Sequence, residues 1–139
     1  MEHVRARPDV LTTRMLIGGQ SRGGILPIAY AGERPDMFLG AINFVGGWMG
    51  ERCSNATTIN ATTFRRGAAF KQSTLWLYGD HDPFYSLSHS RSNFKAFVSA
   101  GGKGRFKSYG VPGQNSGHAV IAHPKLWSHL LNTYVDAIK

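Results

Sequence analysis

The chain has 139 residues, 42% of them apolar and 17% charged, enough to build one packed domain and too apolar for intrinsic disorder. Its one cysteine, Cys53, excludes a disulfide framework and a multi-cysteine zinc site, and no apolar run approaches the roughly 18 residues of a membrane span. Sixteen Lys and Arg against eight Asp and Glu give a net charge of +8. These basic residues are scattered, with no run of five or more like charges, which favours a solvated basic surface over a nucleic-acid partner. The opening MEHVRARPDV lacks the apolar core of a secretory signal. The default compartment is therefore cytoplasmic, with a secreted or periplasmic location open should a signal lie upstream.

In chain order, residues 14–17 read as a short buried strand closed by Gly18-Gly19. Residues 23–31 read as a helix with Pro27 in its first turn, ended by Gly32 and Pro35. A second strand covers 38–45, broken by Asn43 and stopped by Gly46-Gly47. A polar loop follows, in which Cys53 reads as a small buried residue, and then a short helix over about 62–70. Residues 74–78 form a third strand ended by Gly79, and Ser86 or Ser88 caps a helix running to Ala100 with Phe94, Phe97 and Val98 on its buried side. Residues 104–109 read as a fourth strand, and Pro124 opens a last helix to Ile138. The alternation predicts an α/β fold of about four parallel strands with flanking helices.

The first strand runs into Gly19-Gln20-Ser21-Arg22-Gly23, a G-x-S-x-G pattern between a strand and a helix. A nucleophilic serine on so tight a turn needs neighbours without side chains, because backbone and helix crowd in from both sides. The alternative, a phosphate-binding loop, lacks the expected lysine. A serine nucleophile needs a base, and the base needs an acid to orient it. In a parallel sheet these come from loops at the carboxyl ends of later strands. The third strand ends in Gly79-Asp80-His81-Asp82-Pro83, which offers two acids. The fourth is followed by a loop holding Gly117-His118. His81, His89 and His123 sit on a helix or charged turns and read as surface or packing residues. Trp48, after Gly46-Gly47 at the end of the second strand, and Phe84 and Tyr85, beside Asp82, are candidate substrate-contacting residues, with plain packing as the alternative. Asn55-Ala-Thr57 and Asn60-Ala-Thr62 fit the glycosylation pattern and, without a secretory signal, read as chance.

The segments GGQSRGG, LWLYGDHDPFY and GHAV, in this order and spacing, resemble the dienelactone hydrolase-like, serine-esterase branch of the α/β-hydrolase superfamily. The resemblance covers nearly the whole chain, from Leu11 to Lys139. It implies Ser21 as nucleophile, Asp82 rather than Asp80 as the acid, His118 as the base and the N–H of Arg22 as an oxyanion donor. It also implies a small-molecule acyl substrate, with no metal and no cofactor. Serine stands where dienelactone hydrolases proper carry cysteine, which favours a general carboxylic ester over dienelactone. The superfamily core is larger, and the chain matches only its later strands. The resemblance thus implies one domain over residues 1–139, the C-terminal part of that core, with earlier strands and a second oxyanion donor outside it. The first strand is then expected to be an unpaired apolar edge, through which copies of the chain could form a homo-oligomer.

Overall fold

A computed structural model describes residues 2–138. Four strands, β1 (Leu16–Gln20), β2 (Gly40–Phe44), β3 (Thr74–Gly79) and β4 (Gly104–Tyr109), form one sheet in chain order. Every neighbouring pair is parallel. A short α1 (Glu2–Arg5) precedes the sheet. The strands are joined by α2 (Arg22–Glu33), α3 (Ala56–Arg66) and α4 (Leu87–Ser99), and α5 (Pro124–Ala137) follows β4. Parallel strands require such crossovers, and the helices cover the sheet faces. The two central strands are therefore buried along their full length, whereas β1 and β4, at the edges, are half-exposed.

On one face Trp76 of β3 packs against Phe64 of α3 at 4.5 Å and against Phe94 and Phe97 of α4 at 5.1 and 5.2 Å. Full burial of each such side chain contributes about 1.5–3 kcal/mol. On the other face Phe44 of β2 meets Trp127 of α5 edge-on at 4.9 Å. The helix is also tied down by Tyr134, whose hydroxyl donates to the Ser73 carbonyl (2.6 Å) and accepts from the Ala41 amide (3.0 Å). Burial pushes that phenol up to about 12, so it stays neutral and able to bridge.

Several boundaries differ from the sequence reading, each for a local reason. Strand β1 does not stop at Gly18 but runs through both glycines to Gln20, in register with β2 from Leu16 opposite Gly40 to Gln20 opposite Phe44. Helix α2 starts at Arg22, so Pro27 lies inside it rather than in its first turn, and Gly32 lies within it rather than at its end. Helix α3 begins at Ala56, well before Thr62, and a 3-10 turn over Gly67–Ala69 completes it. Cys53, expected to be buried, is exposed, because it lies in the turn before α3 rather than on a packed face. For β4, and for the Ser86 cap that accepts from the His89 amide, structure and sequence reading agree.

Candidate active site

Because all four strands run the same way, the loops after β1, β3 and β4 leave from one end of the sheet. Ser21 follows β1 directly and caps α2 with φ 56° and ψ −126°. That is a left-handed backbone on a residue with a side chain, a conformation that costs about 1–3 kcal/mol and recurs at functional turns. The turn is closed by the Ser21 amide donating to Phe44 O (3.0 Å) and the Gly24 amide donating to Ser21 O (2.8 Å). A Cβ on Gly19 would sit 2.7 Å from the Gly23 carbonyl carbon, so that glycine is obligatory. Gly23, by contrast, has open space where its Cβ would be. The crowding expected on both sides of the serine exists on one side only.

Asp82 and His118 come together as a pair. His118 Nδ1 donates to Asp82 Oδ2 at 2.9 Å, which leaves Nε2 as the basic nitrogen. The other carboxylate oxygen accepts the amides of Phe84 (2.8 Å) and Tyr85 (3.1 Å), and the Asp82 side chain is wholly buried. Asp80 does different work, accepting the Val111 amide at 3.0 Å and so bracing the turn after β4. His118 lies in a 3-10 turn over Gly117–Ala122. This turn reaches Asp82 because Gly117 presses on the backbone of residues 80–82, where a Cβ would lie 2.7 Å from Asp82 N. Gln20, which the sequence reading did not single out, donates its side-chain amide to the His118 carbonyl at 2.8 Å and fastens this turn to β1.

Ser21, Arg22, Trp48, Phe84, Tyr85 and His118 line one open cleft of about 420 Å³. Trp48 and Phe84 are 41% and 52% exposed, whereas Tyr85 is 4% exposed. The Tyr85 hydroxyl donates to the Gly47 carbonyl at 2.8 Å. Arg22 is the first residue of α2, so its N–H is among those that a helix leaves without an internal acceptor. Of the rival histidines, His81 is exposed on a positive-φ turn (52°) and His123 caps α5. Among the described residues no three His, Cys, Asp or Glu side chains gather as a metal site, and no helix is long and apolar enough to cross a membrane.

Comparison with solved structures places the fold. The chain superposes with a TM-score of 0.67 on a protein assigned as dipeptidyl aminopeptidase IV from Bacteroides ovatus, at 19% identity over 98% of this chain. A thermostable esterase aligns with a TM-score of 0.62, at 19% identity over 93% of the chain. A protein assigned as dienelactone hydrolase from Klebsiella pneumoniae aligns with a TM-score of 0.62, at 19% identity over 89%. The chain has a partial α/β-hydrolase fold. It spans 21%, 32% and 52% of the lengths of these three proteins. No family model and no curated protein matches the sequence.

Within the α/β-hydrolase fold, a second set of residues holds the cleft wall that carries Trp48. Asn60 of α3, fully buried, accepts the amides of Trp48 (2.9 Å) and Met49 (3.0 Å) through Oδ1. Its Nδ2 reaches Met49 O (2.8 Å) and His89 Nε2 (3.0 Å). His89 is therefore protonated on Nδ1, which faces Glu51 Oε2 at 4.0 Å. Burial lowers the His89 pKa, and the Glu51 carboxylate partly opposes that shift. Neither Asn60 nor His89 had been read as anything but a packing, surface or chance motif residue. Nothing in the sequence marks a polar side chain for burial in a helix as polar as α3.

Proposed function

We propose that the chain is a serine hydrolase of carboxylic esters or related acyl compounds, acting through Ser21, His118 and Asp82. The observation that carries this reading is the buried Asp82–His118 pair at 2.9 Å, opening on the same cleft as Ser21 on its positive-φ turn. The hydrolase names borne by proteins of similar fold support it.

In the reaction, Ser21 Oγ attacks the acyl carbonyl while His118 Nε2 takes its proton. Asp82 keeps the other nitrogen protonated and stabilises the imidazolium. The N–H of Arg22, at the positive end of α2, faces the charge that develops on the carbonyl oxygen. His118 returns the proton to the leaving group, and water, activated by the same histidine, clears the acyl-enzyme. Each step uses only side chains, one backbone amide and water. Trp48 and Phe84, both exposed at the cleft, supply apolar walls for the acyl or leaving group. The test is hydrolysis of p-nitrophenyl butyrate. Turnover that disappears in both Ser21→Ala and His118→Ala supports the reading; turnover unchanged in either variant removes it.

A second reading, self-association through β1, rests on a separate observation. The outer edge of β1 has no partner strand among the described residues, and Leu16 on it is 38% exposed. Beside it Ile17, Leu26, Pro27 and Tyr30 line an apolar hollow. Sedimentation should then show a dimer or larger species that Leu16→Lys returns to monomer; a monomeric parent chain at micromolar concentration refutes it.

A further inference from the structure

The sheet sets a distance problem for the proposed triad. Ser21 follows β1 and His118 belongs to the segment after β4, and these are the two outer strands in the order β1-β2-β3-β4. At the usual spacing of neighbouring strands they lie about 14 Å apart. The turn over Gly117–Ala122 therefore has to lean back across the ends of β3 and β2 to share a cleft with Ser21. Its contacts with Asp82 and with the backbone of residues 80–82 account for that reach only as far as the loop after β3.

Gln20 supplies the remaining link. Its Nε2 donates to the His118 carbonyl at 2.8 Å, across 98 positions of sequence. A carbonyl can only accept, so the amide nitrogen must face it, and the side chain is thereby turned one way. Gln20 is half-buried at the end of β1 and joined to Ser21 by one peptide bond. Nucleophile and base are thus connected through a single side chain and one hydrogen bond. Asp82 fixes His118 Nδ1 at 2.9 Å, but that bond alone leaves the ring free to pivot about Asp82 Oδ2. Where Nε2 then points depends on where the His118 backbone is held.

Building on the hydrolase reading above, we infer that Gln20 is a positioning residue for the base: its side-chain amide, carried on the end of β1, sets the reach of His118 Nε2 toward the Ser21 hydroxyl. It takes up and gives up no proton in the reaction. Gln20 also lines the cleft, so contact with substrate is the alternative that the experiment separates.

Gln20→Met keeps the length of the side chain and removes the donor; Gln20→Glu keeps its shape and, ionised, cannot donate either. Trp127→Phe is the comparison, because Trp127 Nε1 braces the same turn by donating to Val120 O at 3.0 Å but ties it to α5 rather than to β1. The variants and the parent chain are treated with a fluorophosphonate at a temperature where circular dichroism shows them folded. The maximal labelling rate at Ser21 and the half-saturating probe concentration are measured separately. The expected result is a maximal rate lower by about tenfold or more in both Gln20 variants, as misplacement of a reacting group predicts. Half-saturation should change little, and Trp127→Phe should label at close to the parent rate. In a His118→Ala background, where no imidazole remains to be positioned, Gln20→Met should leave the slow residual rate unchanged. Parent-like labelling of either Gln20 variant overturns the inference, as does a loss carried by half-saturation, which makes Gln20 a substrate contact. An equal loss in Trp127→Phe, or a further loss on top of His118→Ala, reduces Gln20 to a general brace and overturns it as well. If Ser21 of the parent chain is not labelled at all, the hydrolase reading itself fails, and this inference falls with it.

Discussion

Replacing Gly117 with alanine strains the site where it is assembled most tightly. A Cβ there would lie 2.7 Å from both Asp80 C and Asp82 N, and closer still to Asp80 O, whereas ordinary contact begins at 3.4 Å. All three atoms are backbone, so no rotamer relieves the overlap. The two loops must part by about 1 Å, at a cost of about 1–3 kcal/mol. His118 is the next residue and moves with the turn, stretching its 2.9 Å bond to Asp82 beyond hydrogen-bond range. Once its acid no longer fixes the histidine tautomer, a triad loses on the order of 10⁴ in turnover. Partial retention of the contact reduces that loss, and we expect Gly117→Ala to lower p-nitrophenyl butyrate turnover by at least about 100-fold. The protein should stay folded, with a melting midpoint lower by roughly 5–15 °C. Turnover is to be compared at equal folded fraction, followed by circular dichroism. A folded Gly117→Ala chain with parent-like turnover would refute the argument that this glycine contact delivers His118 to Asp82.

Three further outcomes follow from the same geometry. Gly19→Ala should destabilise the elbow by about 1–3 kcal/mol, while Gly23→Ala, with open space at its Cβ, should be neutral or stabilise by up to about 1 kcal/mol; chemical denaturation of the pair reads the contrast, and equal effects contradict it. His89 is held neutral because burial lowers its pKa below the ordinary 6.5. Above pH 6.5 it contributes no pH dependence, and as pH falls below that value the unfolded chain takes up a proton that the folded chain refuses, so stability falls. The melting midpoint should therefore drop more steeply between pH 7 and 5.5 in the parent than in His89→Gln, and parallel curves refute the assignment. Tyr134→Phe should cost about 1–3 kcal/mol in denaturant titrations, because the Ser73 carbonyl loses its donor; an unchanged midpoint counts against α5 being fastened through that hydroxyl.

Strand β4 and the start of α4 were legible because local signals and tertiary structure coincide there: alternation over Gly104–Tyr109, and a serine whose oxygen caps the helix. The meeting of the Ser21, Asp82 and His118 loops at one cleft was legible for a similar reason. Parallel strands deliver their following loops to one edge, so strand ends in the sequence become neighbours in space. The start of helix α3 differs from the sequence reading because Ala56–Arg66 holds four threonines and few large apolar residues. What makes it a helix is packing through Phe64 and the polar clamp at Asn60, both long-range features. Gly18-Gly19 signalled a strand end by composition, but the sheet register carries β1 through them, because α2 lies too close for a side chain at Gly19. The hydrogen bond from the Tyr85 hydroxyl to the Gly47 carbonyl joins two loops that are distant in sequence, and no pattern within either announces it.

The central claim is that Ser21 is an activated nucleophile, and covalent trapping tests it most directly. The chain is incubated with a fluorophosphonate and examined by intact mass and peptide mapping. The account predicts one adduct, on Ser21, formed slowly in His118→Ala and Asp82→Asn and absent in Ser21→Ala. A parent chain that acquires no adduct, or a Ser21→Ala chain that is labelled as fast as the parent, would contradict it.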